Sequence, residues 1–279
     1  MKTLLQRRAI RASNSTVKSC FTILTTCLVL CFTSSVWGYQ YPEGRATVFE
    51  YPPTTESIHQ LIDTQRLINF LNDTYAVQIQ QKHDARFVWK FEWDKNHLAA
   101  GSNIYEQEAS IMLWGGFVRA PGSSFSLIAL TLCHEVGHFL GGSPRQHFNN
   151  DPEEHWSSAE GQSDWFAAKE CLPLIYTQFK NEIGDVNSPN TVCHQTQSPS
   201  QCHWISSAGQ EFTDFSFYYF GGNSVKKATI GQSATERPEK TLINTYPSDQ
   251  CRLDTYKAGA LCSAGLDKYC QRPRCWFAD

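Results

Sequence analysis

Residues 123–142 read SSFSLIALTLCHEVGHFLGG, and this stretch decides how the rest of the chain is interpreted. Its apolar residues recur at helical spacing, and Ser123 or Ser124 can cap the first turn. Gly141 and Gly142 can end the last turn, and a proline at position 144 supports that end. The stretch therefore predicts a capped helix that is largely apolar and carries HEVGH near its end.

Two histidines of this helix can hold a metal ion. His134 and His138 are four residues apart, so both imidazoles project from one helix face, with Glu135 beside them. A catalytic zinc ion takes three protein ligands and keeps a fourth position for water. The motif thus predicts a site for one Zn²⁺ that needs a further ligand, with Glu135 as the general base toward the zinc-activated water.

The next predicted helix, 159–172, supplies the third ligand. Ser157 or Ser158 can cap this helix, and Glu160 lies at its start. Asp164 follows one turn later on the same face. We expect Glu160 to complete the site and Asp164 to accept the other ring N–H of a zinc-bound imidazole, which fixes the tautomer of that ring.

The segments HEVGHFLGG and SSAEGQSDWFAAKECL together resemble the gluzincin zinc metallopeptidases, and more closely the soluble relatives of the CAAX prenyl endopeptidase family. The resemblance covers about residues 110–173 and a short C-terminal stretch. It implies an α+β, zincin-like fold in which the active-site helix and a glutamate-bearing helix pack under a small mixed sheet. It also implies that His134, His138 and Glu160 hold the zinc ion, in agreement with their spacing.

The same resemblance implies substrate-side roles for two more regions. The family has a histidine and, six residues later, an arginine at the oxyanion side, and Tyr246 and Arg252 occupy those positions here. The phenol of Tyr246 can still donate a hydrogen bond to an oxyanion. The alternative is that both residues only pack near a disulfide. Residues 110–118 resemble the edge strand to which a substrate peptide adds.

The remaining periodicity agrees with an α+β chain. Residues 54–72 have helical spacing, and residues 86–93 alternate like a half-buried strand. Residues 110–118 predict a strand with a bulge or a close backbone approach at Gly115 and Gly116.

The C-terminal half is less regular. Residues 211–220 predict a helix closed by Gly221 and Gly222, and residues 223–279 show little periodicity.

We expect one metallopeptidase domain, 39–279, in three parts: an N-terminal helix and sheet (39–122), the zinc-binding helices (123–173) and a cysteine-rich C-terminal part (174–279).

Residues 1–38 have the pattern of a signal peptide. Five basic residues and no acidic ones accompany an apolar run from Cys20 to about Phe32, and small or polar residues near Gly38 offer a cleavage point. The run is too short and too polar for a comfortable spanning helix. We expect a secreted or periplasmic protein with no stable membrane insertion after cleavage. An uncleaved N-terminal anchor is the alternative.

The cysteine count and the net charge indicate the cellular compartment and the class of partner. Three of the 11 cysteines belong to the leader, and the even number that remains favours up to four disulfides in an exported chain. Removal of the leader takes five of the 24 basic residues and none of the 27 acidic ones, so the net charge changes from −3 to about −8. We therefore expect no nucleic-acid partner.

These features predict an exported zinc endopeptidase whose substrate is a protein or peptide. A metzincin is disfavoured, because His147 comes three residues late for that motif and the only methionines are Met1 and Met112. Two other functions fit the same residues. One is a non-catalytic binding module that kept the zinc scaffold, and the other is a zinc amidase or deacetylase that acts on cell-wall material.

Overall fold

The computed structural model describes residues 41, 46–147, 155–186, 188–221 and 226–278. The predicted signal peptide lies outside the described residues, as does Gly222. The described part is α+β, with helices around one small mixed sheet. None of its helices combines the length and apolar character that a membrane span requires.

The sheet has three strands in the order β1-β3-β2, namely β1 (Arg86–Glu92), β2 (Ala100–Tyr105) and β3 (Glu108–Trp114). β3 pairs with β1 in parallel and with β2 in antiparallel register. Side chains such as Phe87, Ile111 and Leu113 are buried in the main core. The parallel pairing makes the sheet mixed, as predicted.

The predicted edge strand, 110–118, is wrong in two respects. β3 is the central strand, and the two edge strands are β1 and β2, of which β2 was not predicted from the sequence. The strand also stops at Trp114, because Gly115 begins a short helix, α2 (Gly115–Arg119). The close backbone approach is confirmed: a Cβ on Gly116 would lie 1.9 Å from the carbonyl oxygen of Asn96.

The first helix, α1 (Ile58–His83), starts later and runs longer than the predicted 54–72. A short 3₁₀ turn, Thr55–Ser57, precedes it. Its buried side chains include Leu67, Leu71 and Ile79, which continue the apolar stripe past the predicted end. α1 packs against β1 and against the helix that carries the histidines.

The histidine helix, α3 (Phe125–Leu140), agrees with the prediction. Ser124 caps it, since its hydroxyl accepts a hydrogen bond from the Leu127 amide at 3.0 Å. Nearly all of its side chains from Leu127 to Phe139 are buried. It contacts β2 and β3 of the sheet as well as α1.

The glutamate helix differs from its prediction at both ends. α4 (Glu160–Phe166) follows Ala159, and neither Ser157 nor Ser158 caps it. A π-helical turn, Ala167–Cys171, joins it to α5 (Leu172–Ile183). The predicted stop before Pro173 is wrong, because proline in the first turn of a helix loses no intrahelical hydrogen bond.

The C-terminal part contains two long helices. α6 (Pro199–Phe220) includes the predicted 211–220 and ends at Gly221, whose φ of 79° suits glycine. α7 (Asp249–Ser263) lies in the region where little periodicity was found, so that prediction missed a helix. α6 and α7 pack against each other, and α7 also contacts α4.

Eight cysteines form four disulfides, within the prediction of up to four. Two join distant elements: Cys133–Cys171 and Cys251–Cys275. The other two, Cys193–Cys202 and Cys262–Cys270, close short loops. Four disulfides fit an oxidising, exported environment.

Candidate metal centre

Three buried side chains from α3 and α4 converge on one point. His134 Nε2 and His138 Nε2 lie 3.1 Å apart. Glu160 Oε2 lies 3.2 Å from His134 Nε2, and Glu160 Oε1 lies 3.8 Å from His138 Nε2. The two imidazoles and the carboxylate that the spacing predicted are therefore brought together in a cluster that could hold a metal ion.

The outer nitrogen of each ring is already engaged. His134 Nδ1 lies 2.8 Å from a carboxylate oxygen of Asp164, and His138 Nδ1 lies 2.9 Å from the carbonyl oxygen of Ser158. A carbonyl oxygen only accepts, and the pKa of Asp164 is held low, so both Nδ1 atoms act as donors. Each Nε2 then points inward, where a neutral ring offers its lone pair to a metal ion.

Such an arrangement favours a positive charge at its centre. Two inward lone pairs at 3.1 Å repel each other, and the buried Glu160 Oε2 makes no hydrogen bond of good geometry with any described residue. Two ligands about 2.0–2.1 Å from a tetrahedral zinc ion lie about 3.3 Å apart. The separations of 3.1 and 3.2 Å are close to that value, and the 3.8 Å separation between Glu160 Oε1 and His138 Nε2 is longer.

The carboxylates control the protonation of the cluster. Burial alone would lower the pKa of His134, but Asp164 and Glu160 outweigh it and raise that pKa to about 10. Burial would raise the pKa of Glu160, but the two histidines and Arg252 lower it below its ordinary value. The cluster could thus hold a cation, and a proton competes for the same position.

Asp164 is completely buried and is anchored by α7. Arg252 donates to both of its oxygens, from Nε at 2.8 Å and from Nη2 at 2.7 Å. The hydroxyl of Tyr256 donates to Oδ1 at 2.5 Å. Burial would raise the pKa of Asp164, but Arg252 and His134 outweigh it, so the carboxylate stays ionised.

Arg252 therefore lies behind the cluster, in contact with Asp164. Its guanidinium also lies 4.4 Å from the Phe212 ring centroid and 5.6 Å from that of Tyr246. Sequence reasoning missed Tyr256. The pattern R-x-x-x-Y could have indicated it, because residues four apart share a helix face, but only once α7 was recognised as a helix.

Glycine lets the two ligand-bearing helices approach closely. A Cβ on Gly137 would lie 2.8 Å from the Ser163 carbonyl oxygen and 2.9 Å from its Cα. Any side chain there would push α4 away from α3. The Cys133–Cys171 disulfide adds a covalent link between His134's neighbour and the end of the π-helical turn.

Two predicted site residues face the open side of the cluster. Glu135 and Tyr246 both border the cavities beside His134. The Tyr246 ring is 57% exposed, but its phenol lies near Glu160 and Glu135. Partial burial and these carboxylates raise the pKa of Tyr246, so the phenol keeps its proton.

The edge strand β2 borders the same opening. Residues Ala100–Asn103 line a cavity together with His134, Glu135 and His138.

Comparisons of this chain with protein-family models, with curated proteins and with solved structures give no match.

Proposed function

We propose that this chain is an exported, zinc-dependent endopeptidase of the gluzincin type with a zincin-like fold. The observation that carries the proposal is the buried convergence of His134 Nε2, His138 Nε2 and a Glu160 carboxylate oxygen, with both Nδ1 atoms held by acceptors. Two neutral nitrogens and one carboxylate oxygen form a donor set typical of catalytic zinc. The four disulfides support export.

Zinc bound by these residues would supply a water molecule of lowered pKa and an electrophile for the substrate carbonyl. Glu135 follows His134 directly on α3 and borders the same opening. Its carboxylate would take a proton from the attacking water and hold it beside the opening. It returns that proton to the amine nitrogen when the C–N bond breaks.

Tyr246 is the candidate donor to the oxyanion. Its raised pKa keeps the phenol protonated, and its ring lies beside the opening near Glu135. Arg252 supports Asp164 through two hydrogen bonds, so we assign it the positioning of the Asp164–His134 pair. It acts on the reaction through these neighbours.

Strand β2 gives an extended peptide a place to bind. Its outer edge carries no strand partner among the described residues, and its first residues lie beside Glu135 and the histidines. A substrate that adds to this edge gains backbone hydrogen bonds and brings one peptide bond to the cluster. This use of backbone groups favours an endopeptidase for unfolded or extended segments.

Hydrolysis of an unfolded, fluorescently labelled protein by the purified chain tests the proposal, together with metal analysis. We expect about one zinc per chain, and Glu135→Gln should retain zinc while hydrolysis falls by about 10²–10⁴-fold. Glu160→Ala should lose zinc. Glu182→Gln is the matched control, because Glu182 forms a surface ion pair with Arg66 away from the cluster.

The same experiment separates the alternatives. Bound zinc without hydrolysis of any peptide in a broad library would support a zinc-scaffold binding module. Release of products from peptidoglycan fragments, but from no protein, would support an amidase.

A further inference from the structure

The opening beside the cluster has two sides of different chemistry. One cavity has a volume of about 450 Å³ and the other about 530 Å³. Ala100, His134, Glu135 and Tyr246 border both cavities, so they stand at the boundary between them. A peptide whose scissile bond reaches Glu135 has neighbouring residues on both sides.

The smaller cavity has an aromatic wall. Phe212, Phe215 and Phe220 reach it from α6, Phe117 from α2, and Leu98 from the segment before β2. The Phe117 and Phe215 rings lie 5.1 Å apart and are buried, so this part of the wall is fixed by core packing. Phe220 is 60% exposed and forms part of the rim.

Two polar side chains that border the aromatic part of this cavity already have partners. The Thr131 hydroxyl donates to the Leu127 carbonyl at 2.9 Å, one turn before Glu135 on α3. The Arg252 guanidinium is neutralised by Asp164 and lies over Phe212. A charged side chain would lose hydration against the aromatic wall, whereas an apolar one would gain free energy from burial there.

The larger cavity is polar. Asn103, Gln146, His155, Ser157 and Asn244 border it, and they offer hydrogen-bonding groups. Selection for an apolar side chain therefore operates on one side of the scissile bond only.

We infer that the smaller cavity binds a large apolar side chain, phenylalanine, leucine or a residue of similar size, directly beside the bond that is cut. The inference rests on the proposed function and names its substrate class. The site selects cleavage positions by one bulky apolar residue on one flank and tolerates polar residues on the other.

Mapping of cleavage sites in an unfolded protein tests this inference. Digestion of reduced and alkylated serum albumin, followed by mass spectrometry, should show enrichment of large apolar residues at one of the two positions that flank the cut. In matched peptides, phenylalanine in that position should raise kcat/KM at least tenfold over alanine. Cuts flanked mainly by small or charged residues would overturn the inference.

A rim variant localises the preference. Phe220→Ala should reduce kcat/KM several-fold more for the phenylalanine peptide than for the alanine peptide. Phe49→Ala is the matched control, because Phe49 is a partly exposed phenylalanine that packs near Tyr219 and does not border the cavity. Equal effects of the two variants would contradict the assignment of the cavity.

A binding measurement keeps this inference distinct from the proposed function. The Glu135→Gln protein should bind N-acetylphenylalaninamide at least tenfold more tightly than N-acetylalaninamide in ligand-observed NMR titrations, and Phe220→Ala should reduce the difference. Equal binding of the two amides would overturn the cavity assignment even if the wild-type chain hydrolyses proteins. Selective binding without hydrolysis would support the cavity and contradict the peptidase.

Discussion

Asp164 orients the His134 ring and also keeps a negative charge in the protein interior. A buried carboxylate can do both only with strong hydrogen-bond partners. It accepts from a ring nitrogen of His134 on one side and from Arg252 and Tyr256 on the other. Without the Arg252 guanidinium, the free-energy cost of burying the Asp164 charge would exceed the stabilisation that the His134 imidazole provides. The residue therefore links the orientation of His134 to a helix that contributes no metal ligand.

Asp164→Ala is expected to weaken zinc binding about ten- to a hundredfold, because His134 loses the acceptor that orients it. It should also lower the free energy of unfolding by about 3–5 kcal/mol, since Arg252 is left buried without a counter-ion. Chelator competition measures the first effect and urea unfolding the second. Asp63→Ala is the control, because Asp63 is exposed. An unchanged zinc affinity would count against the role of Asp164.

Metal affinity should depend on pH through His134. Its pKa is raised to about 10, so near neutral pH the ring carries a second proton that an incoming ion must displace. That protonated state stabilises the fold fully below the ordinary histidine pKa of about 6.5, and its contribution disappears as pH rises through about 10. Affinity should consequently rise about tenfold per pH unit between pH 6 and 8.

Calorimetry in buffers of different ionisation enthalpy measures this directly. The binding enthalpy should vary with a slope of about one released proton at pH 7. A slope near zero would contradict protonation of the cluster.

At the scale of elements, the spacing between α3 and α4 decides whether three ligands can share one ion. Gly137 faces the backbone of Ser163 so closely that no side chain fits. Gly137→Ala should therefore reduce both stability, by about 1–3 kcal/mol, and metal affinity. Gly231→Ala is the matched control, since a Cβ there would contact nothing within 4 Å. Equal stability of the two variants would contradict a spacing role for Gly137.

Helices and strands could be predicted where their own residues carry the caps and the apolar spacing that define them. The α3 helix carries a cap, an apolar stripe and a glycine stop within its own sequence, and both ends agree with the structure. β2 has no such signal, because AGSNIY is an edge strand with only partial burial and no clear alternation. Its place beside the cluster depends on pairing with β3, which is a tertiary contact.

α7 was not predicted from the sequence, because its buried face is not uniformly apolar. It is buried on most sides, and its interior face carries polar residues such as Arg252, Thr255 and Tyr256. Those residues contact partners in other elements, so the helix lacks the apolar spacing by which an amphipathic helix is recognised. The metal cluster could be located from spacing within one stretch of the chain, whereas its supporting residues could not, since they come from a distant one.

On the scale of the whole molecule, disulfides hold together the regions that build the cluster. Cys133–Cys171 spans 38 residues and joins the two ligand-bearing segments. Replacing both of these cysteines by alanine should cost about 2–5 kcal/mol of stability and weaken zinc binding. Unfolding and chelator competition measure the two effects.

The short Cys193–Cys202 loop provides the comparison. Its separation of 9 residues is smaller, and its cysteines lie in α6 and the turn before it. The same double replacement there should leave zinc affinity unchanged. Equal losses of affinity in the two double variants would show that Cys133–Cys171 has no special role at the cluster.

The anchoring of Asp164 by α7 has a consequence for biosynthesis. Arg252 follows Asp164 by 88 residues and Tyr256 follows it by 92. As the nascent chain emerges from N to C terminus, His134, His138 and Glu160 are available long before the charge that stabilises Asp164. Maturation of the centre therefore waits for α7, because Asp164 lacks its guanidinium and phenol partners until that helix has been made.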